Sequence, residues 1–152
     1  MQTLEHKIPP PVVALVTAAA MWGIAHLNQA PSPAPSRVTL AIVLAGFGLV
    51  LITLGIAAFA TNKTTINPVE IDKASVLVTN GVFRYTRNPM YTGLAAILFG
   101  WAFYLNTPLA FLGPPLFALF ITRFQIMPEE RVMREKFASA YSDYARKVRR
   151  WF

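Results

Sequence analysis

The stretch Thr79-Asn80-Gly81-Val82-Phe83-Arg84-Tyr85-Thr86-Arg87-Asn88-Pro89-Met90-Tyr91-Thr92-Gly93 decides how the chain is read. It sets two arginines, three aromatics and an Asn-Pro step between long apolar runs. Asn88 suits a helix N-cap and Pro89 the first helical position, where proline's missing N–H would lack a partner anyway. The spacing predicts a helix from Pro89, its unpaired N–H groups beside Arg84 and Arg87. A helix start flanked by guanidiniums suits an anionic group.

Outward from this stretch the chain is a series of apolar blocks, residues 12–27, 38–60, 91–105 and 109–127. A spanning helix needs about 20 apolar residues, within a range of about 17–25. Only 14% of residues are charged and mean hydropathy is +0.45, whereas soluble domains carry about 25% charge. The fold class is all-α: a polytopic integral membrane protein with about four transmembrane helices, a helical hairpin and a C-terminal amphipathic helix. We read residues 1–152 as a single membrane domain. Residues 1–60 supply two N-terminal helices, and residues 61–152 form the core. Pro31, Pro33 and Pro35 keep the 28–36 connection out of helix, and Gly113-Pro114-Pro115 must bend the fourth block near its start. Gly46, Gly48 and Gly55 permit close helix contact and could support a homo-oligomer. Pro9-Pro10-Pro11 precede the first block and no small-x-small site follows it, so it does not read as a cleaved signal peptide.

Composition excludes several chemistries. The chain has no cysteine, so no disulfide, thiolate metal site or cysteine nucleophile is expected, and His6 and His26 cannot make a metal site alone. The net charge of +7 flanks the apolar blocks, which points to an anionic bilayer surface and not to nucleic acid. With four spans, thirteen of the fourteen basic residues fall on one side and only Arg37 on the other. The positive-inside rule then gives N-in, C-in topology, in a cytoplasmic membrane of bacterial type, with the central stretch and the tail both cytoplasmic.

A hairpin turning between Asn106 and Thr107 brings Tyr91 level with Thr122 and Asn88 level with Gln125. It puts Glu129-Glu130 opposite Arg84 and Tyr85. In the tail, Met133, Phe137, Tyr141, Tyr144, Val148 and Trp151 recur at helical steps and define one face, with basic residues elsewhere. Each feature also has a plainer reading. The arginines could be positive-inside anchors, Tyr91 and Trp101 belt aromatics, and Gly93 and Gly100 packing glycines or cofactor clearance.

Together the residue types suit a zwitterion with a cationic centre. A helix start with arginines suits a carboxylate, paired glutamates an ammonium, and aromatic faces a sulfonium. S-adenosyl-L-methionine carries all three groups. Methyl transfer from it is an in-line displacement that needs positioning and exclusion of water, without a metal or covalent nucleophile.

The run 77–93, then Gly100-Trp101-Ala102, Pro128-Glu129-Glu130, and Phe137-Ala138 with Tyr141 and Tyr144, resembles the isoprenylcysteine carboxyl methyltransferase and phospholipid methyltransferase superfamily. The resemblance covers about residues 68–151. It implies an S-adenosyl-L-methionine site at the cytoplasmic face and a lipophilic acceptor entering from the bilayer. By position, Ser75, Val76, Leu77, Val78, Phe83, Asn88, Pro89, Met90, Tyr91 and Glu129 match cofactor-contacting positions, with Gly81 in the same segment, and Glu130 completes an acidic pair. Glu129 would take the cofactor's amino group, and Asn88 with nearby N–H groups its carboxylate. Tyr91 and Phe83 would frame the sulfonium and adenosine. Arg87 and Arg123 are candidate substrate-positioning residues, and no general base stands out. The chain departs from the eukaryotic pattern at Asn88 (usually His), Phe83 (usually Tyr), Gln125 (usually Arg) and Ala138 (usually Gly). The acceptor therefore ranges over an isoprenylcysteine-like carboxylate, a phospholipid amine or another lipid-soluble molecule. The alternatives are a sterol-type NADPH-dependent membrane reductase and a non-catalytic membrane subunit.

Overall fold

A computed structural model describes residues 8–62 and 76–152; all elements and contacts below concern these residues. The described residues are helical, without strands. Helix α1 is Pro10–Leu27, α2 Pro35–Thr61 and α3 Pro89–Leu105. A 3₁₀ turn, Pro108–Leu112, leads into α4, Gly113–Ile121, then a π-helical turn, Thr122–Ile126, and α5, Met127–Lys147. Three helical stretches are long and apolar enough to cross a membrane, Pro10–Leu27, Pro35–Thr61 and Pro108–Lys147, and α3 is an apolar helix of 17 residues. The dense charge of the third stretch begins at Glu129, with Arg123 the one charged residue before it, so we take residues 108–126 as its spanning part.

Proline sets most of the boundaries, as the sequence led us to expect. Helices α1, α2, α3 and α4 all carry proline at their first positions, where a fixed φ helps and a missing donor does no harm. Gly113-Pro114-Pro115 therefore does not break a helix from within. It closes the 3₁₀ turn and opens α4. Asn106 ends α3 in the left-handed region, φ 53°, and its Nδ2 donates to Pro31 O at 3.1 Å. That bond ties the α1–α2 loop to the α3–α4 turn at one end of the bundle. At the other end Gln125 Nε2 donates to Ile8 O at 2.9 Å, and Phe59 of α2 meets Phe83 edge-on at 5.2 Å. The four spans thus alternate in direction.

Helix α3 is the central element. Met21, Leu98, Ala102, Phe117 and Ile121 pack around it from α1, α3 and α4, each at most 2% exposed. Helix α2 buries only Gly48, Leu51 and Gly55. Its seam with α3 is backbone on backbone. A Cβ built on Gly93 would lie 2.5 Å from Gly48 O, one on Gly48 would overlap Gly93 O, and one on Gly100 would lie 2.8 Å from Ala41 O. Between helices in lipid, packing must supply what the hydrophobic effect does not, and small residues supply it by close approach. Gly93 and Gly100 are therefore packing residues. Gly48 and Gly55 are used within the chain, while Gly46 faces open space. Leu15, Leu27 and Leu119 are 70%, 82% and 67% exposed, a large apolar exterior suited to lipid contact.

The tail departs from the expected single face. Ala138 has φ 44° and ψ −115°, which kinks α5. The helix ends at Lys147, and Val148 is extended, so Val148 and Trp151 do not continue the helical stripe. Residues 148–152 instead form a strap that turns back over the start of α3. Trp151 Nε1 donates to Thr122 Oγ1 at 3.3 Å, and Phe152 stacks on Phe47 of α2 at 6.5 Å.

Candidate active site

The central stretch folds as a short 3₁₀ turn, Gly81–Arg84, followed by a tight entry into α3. Gly81 starts the turn at φ +57°, a left-handed conformation that glycine adopts without Cβ strain. Phe83 is 5% exposed, and its carbonyl accepts a 2.7 Å bond from the Tyr144 hydroxyl of α5. Helix α3 begins at Pro89 as expected, but Asn88 does not cap it. The Asn88 side chain donates through Nδ2 to Arg150 O at 2.9 Å. Thr86 Oγ1, fully buried, donates to the same carbonyl at 3.1 Å, and Arg87 N donates to Arg149 O at 2.9 Å. The returning strap, unknown to a local reading of the sequence, takes the Asn88 side chain that was expected to face an anion, together with Thr86 Oγ1 and the Arg87 amide.

Two glutamates in the first turn of α5 meet this entry from opposite electrostatic situations. Glu130 is 5% exposed. It receives Arg150 through Nε at 2.8 Å and Nη2 at 2.9 Å, Arg87 Nη2 at 2.9 Å and Arg134 Nη2 at 3.6 Å. Burial pushes its carboxyl pKa up, but the Arg150 hydrogen bond and the charges of Arg87, Arg150 and Arg134 outweigh it, and the pKa falls below the ordinary carboxylate value. Glu130 is therefore already answered by guanidiniums and does not serve as half of an acidic pair for an ammonium group.

Glu129 is the contrasting case. Its Oε1 accepts the Tyr91 hydroxyl at 2.5 Å, and among the described residues no cation pairs with it. Burial, opposed by the Tyr91 hydrogen bond and reinforced by the Glu130 charge, pushes its pKa up to about 7. A half-buried carboxylate held by a neutral hydroxyl, without a counter-ion, is suited to an incoming cation. Arg87 adds an unused donor close by. It bonds Tyr141 Oη through Nη1 at 3.4 Å and pairs with Glu130, while its buried Nε has no acceptor.

The hairpin register differs by about one helical turn at Glu130 and about two at Glu129 from the expected one. Glu129 and Glu130 meet Tyr91 and Arg87, whereas Arg84 and Tyr85 are exposed on the 3₁₀ turn. The π-helical turn inserts before Met127, and level counting from the hairpin tip assumes uniform α-helix. Of the remaining candidates, Phe83, Asn88 and Tyr91 converge on this region. Pro89 and Met90 pack on Gly55 of α2. Val78 is buried, Leu77 half-buried, Val76 exposed, and Ser75 lies outside the described residues. Arg123 is exposed on the π-helical turn with its guanidinium over the Phe124 ring at 5.6 Å. Trp101 is not only a belt residue, since its Nε1 donates to Ala18 O at 3.0 Å. Sequence reasoning missed Arg150 and Thr86 as parts of the site. Tyr141 and Tyr144 carried a signal, as aromatics three apart on the covered side of α5.

The phospholipid methyltransferase family profile matches residues 36–140, which include both glutamates, the Asn-Pro step, α2 from its second residue, and α3 and α4. The chain belongs to the phospholipid methyltransferase family. That membership makes it a membrane methyltransferase in general class. An uncharacterized protein of Haemophilus influenzae is 45% identical over 62 residues, 41% of this chain and 98% of that protein. No solved structure matches the chain. For this family's methyl donor, Glu129 offers a carboxylate without a counter-ion among the described residues, and Arg87 a buried donor without an acceptor among them. These two groups fit an ammonium and a carboxylate carried by one molecule.

Proposed function

We propose that the chain is an integral-membrane S-adenosyl-L-methionine-dependent methyltransferase. It acts on a lipophilic acceptor at the cytoplasmic membrane face, within one membrane domain whose residues 61–152 form the cofactor-binding core. The observation that carries this reading is the Tyr91–Glu129 pair, a carboxylate positioned by a 2.5 Å hydrogen bond and without a described cationic partner. Glu129 binds the cofactor's ammonium group. Tyr91 orients that carboxylate. Arg87 and the N–H groups at the start of α3 receive the carboxylate end, aided by the helix dipole. Phe83, Tyr141 and Tyr144 supply aromatic surface that attracts a sulfonium and excludes water.

When bound, S-adenosyl-L-methionine supplies an activated methyl group for in-line displacement by the acceptor. What the chain contributes is position and dryness. An acceptor lying in the bilayer reaches the site between apolar helices, and no side chain is required to take a proton before attack by an anionic acceptor or an uncharged amine. The alternating spans place the starts of α1, α3 and α5 at one end of the bundle. This supports the N-in, C-in topology drawn from the basic residues.

The test is calorimetric titration of detergent-purified protein with S-adenosylhomocysteine, with NADPH as control. Micromolar binding of S-adenosylhomocysteine that is lost in Glu129→Gln, with unfolding temperature retained, supports the assignment. Unchanged affinity in that variant refutes the role of Glu129, and binding of NADPH alone moves the chain to the reductases.

A further inference from the structure

A cavity of ≈ 410 Å³ opens beside the strap, and four arginines, Arg87, Arg146, Arg149 and Arg150, line it together with the rings of Trp151 and Phe152. No side-chain carboxylate lines it. Arg146 is answered by Asp143. Glu130 answers Arg87 and Arg150 together, and is shared with Arg134 as well. Arg149 has no described side-chain acceptor, and Arg87 keeps its buried Nε unused. The guanidiniums here outnumber the side-chain carboxylates that answer them, which leaves an excess of positive side-chain charge around one cavity.

The cavity wall has a second character. Trp151 is fixed by its bond to Thr122. Phe152 leans on Phe47, which is 46% exposed on the outer face of α2. The charged floor is therefore continuous with the lipid-facing exterior. A ligand that fits has a doubly charged oxyanion head, which guanidiniums bind bidentately, and an apolar part that runs along Phe152 and Phe47. Of the residues assigned to the methyl donor only Arg87 lines this cavity, while Phe83, Tyr91, Glu129, Tyr141 and Tyr144 do not.

We propose that this cavity is an accessory site for a phosphate monoester, carried on a membrane lipid. A phosphate monoester bears about −1.5 to −2 charges near neutral pH, a head that clustered guanidiniums bind more strongly than a zwitterionic one. The inference rests on the strap and its arginines, and stands whether or not Glu129 binds a methyl donor.

The experiment titrates the full chain in neutral detergent, without methyl donor, with dihexanoyl phosphatidic acid, dihexanoyl phosphatidylcholine and inorganic phosphate. Phosphatidic acid is expected to bind at least about ten-fold more tightly than phosphatidylcholine, with affinity falling as salt is raised. Arg149→Ala, whose side chain is exposed and holds no described contact, is expected to weaken phosphatidic acid by about ten-fold. The same variant should leave unfolding temperature and S-adenosylhomocysteine affinity unchanged. Phe152→Ala is expected to weaken the lipid and not inorganic phosphate. Inorganic phosphate binding as tightly as the lipid would keep the oxyanion site and overturn its lipid source. Equal binding of the two lipids, or no effect of Arg149→Ala, overturns the site.

Discussion

Replacing Glu130 by glutamine keeps the size of the side chain and removes the charge that three guanidiniums share. Their exposures decide the size of the effect. Arg134 is 59% exposed and four residues along the same helix, a pairing worth only about 0.3–0.5 kcal/mol. Arg150 is 39% exposed and can swing into water. Arg87 is 11% exposed, so its charge is left enclosed. Breaking a buried pair from one side costs about 3–5 kcal/mol, mostly as the penalty of the abandoned charge. We expect about 3 kcal/mol in denaturant unfolding in detergent at neutral pH. Removing the abandoned charge as well should recover part of the loss, so Arg87→Gln with Glu130→Gln should cost less than the two single changes added, by about 1.5 kcal/mol or more. Because Arg150 leaves with the carboxylate, the Arg87 amide that bonds Arg149 O should exchange with solvent faster. A cycle that adds within about 0.5 kcal/mol would refute the reasoning. The sign with pH follows from the lowered pKa of Glu130. Its contribution is present above the ordinary carboxylate pKa and is lost as pH falls through the lowered folded-state value. The wild type should therefore lose stability in acid more steeply than Glu130→Gln.

Glu129 should behave in the opposite sense. With its pKa near 7, ionisation rises from about 10% at pH 6 to about 90% at pH 8, so S-adenosylhomocysteine affinity should rise by up to about nine-fold over that range. The slope should vanish in Glu129→Gln, and a flat wild-type titration would count against the ion pair. Its own contribution to stability is present below the unfolded carboxylate pKa and lost as pH rises through about 7. Ala138→Gly should raise stability by about 1 kcal/mol. Relief of a left-handed alanine, about 1–3 kcal/mol, exceeds the added freedom of the unfolded chain, about 0.4–1 kcal/mol. Equal or lower unfolding temperature would show that the kink is not strained. Gly93→Ala should destabilise by about 1–3 kcal/mol because its new methyl meets backbone, whereas Gly46→Ala, facing open space, should be neutral or mildly stabilising. Similar effects of the two would contradict the seam.

The spans and their starts were legible because apolar length and proline are local signals. Pro89 opens α3 for the reason visible in the sequence, since φ is fixed by its ring. Asn88 shows where that legibility stops. A carboxamide before proline reads as a cap, yet it bonds Arg150, 62 residues away, and no local pattern announces that partner. The tail stripe was interrupted by the kink at Ala138 and wrong at Val148 and Trp151, because helical steps count on regardless of where the helix bends or ends. The choice among guanidiniums for Glu130 was not legible at all. It depends on a strap geometry and on a π-helical turn that shifts register, and neither leaves a periodic trace. Glu129 and Tyr91 were each singled out, but their contact depended on that same register.

The backbone seam between α2 and α3 joins helices of different length. The apolar part of α2, residues 38–60, spans about 34 Å, while the 17 residues of α3 span about 26 Å at 1.5 Å per residue. A hydrocarbon core is about 30 Å thick, so one helix is too long for it and its partner too short. Tilting would relieve α2 and worsen α3, and a contact of glycine on carbonyl leaves no side-chain slack to let them tilt separately. Local thinning of the bilayer beside α3 is the remaining adjustment. It draws headgroups inward toward Pro89, where α3 starts, and makes turnover sensitive to the acyl-chain length of the surrounding lipid.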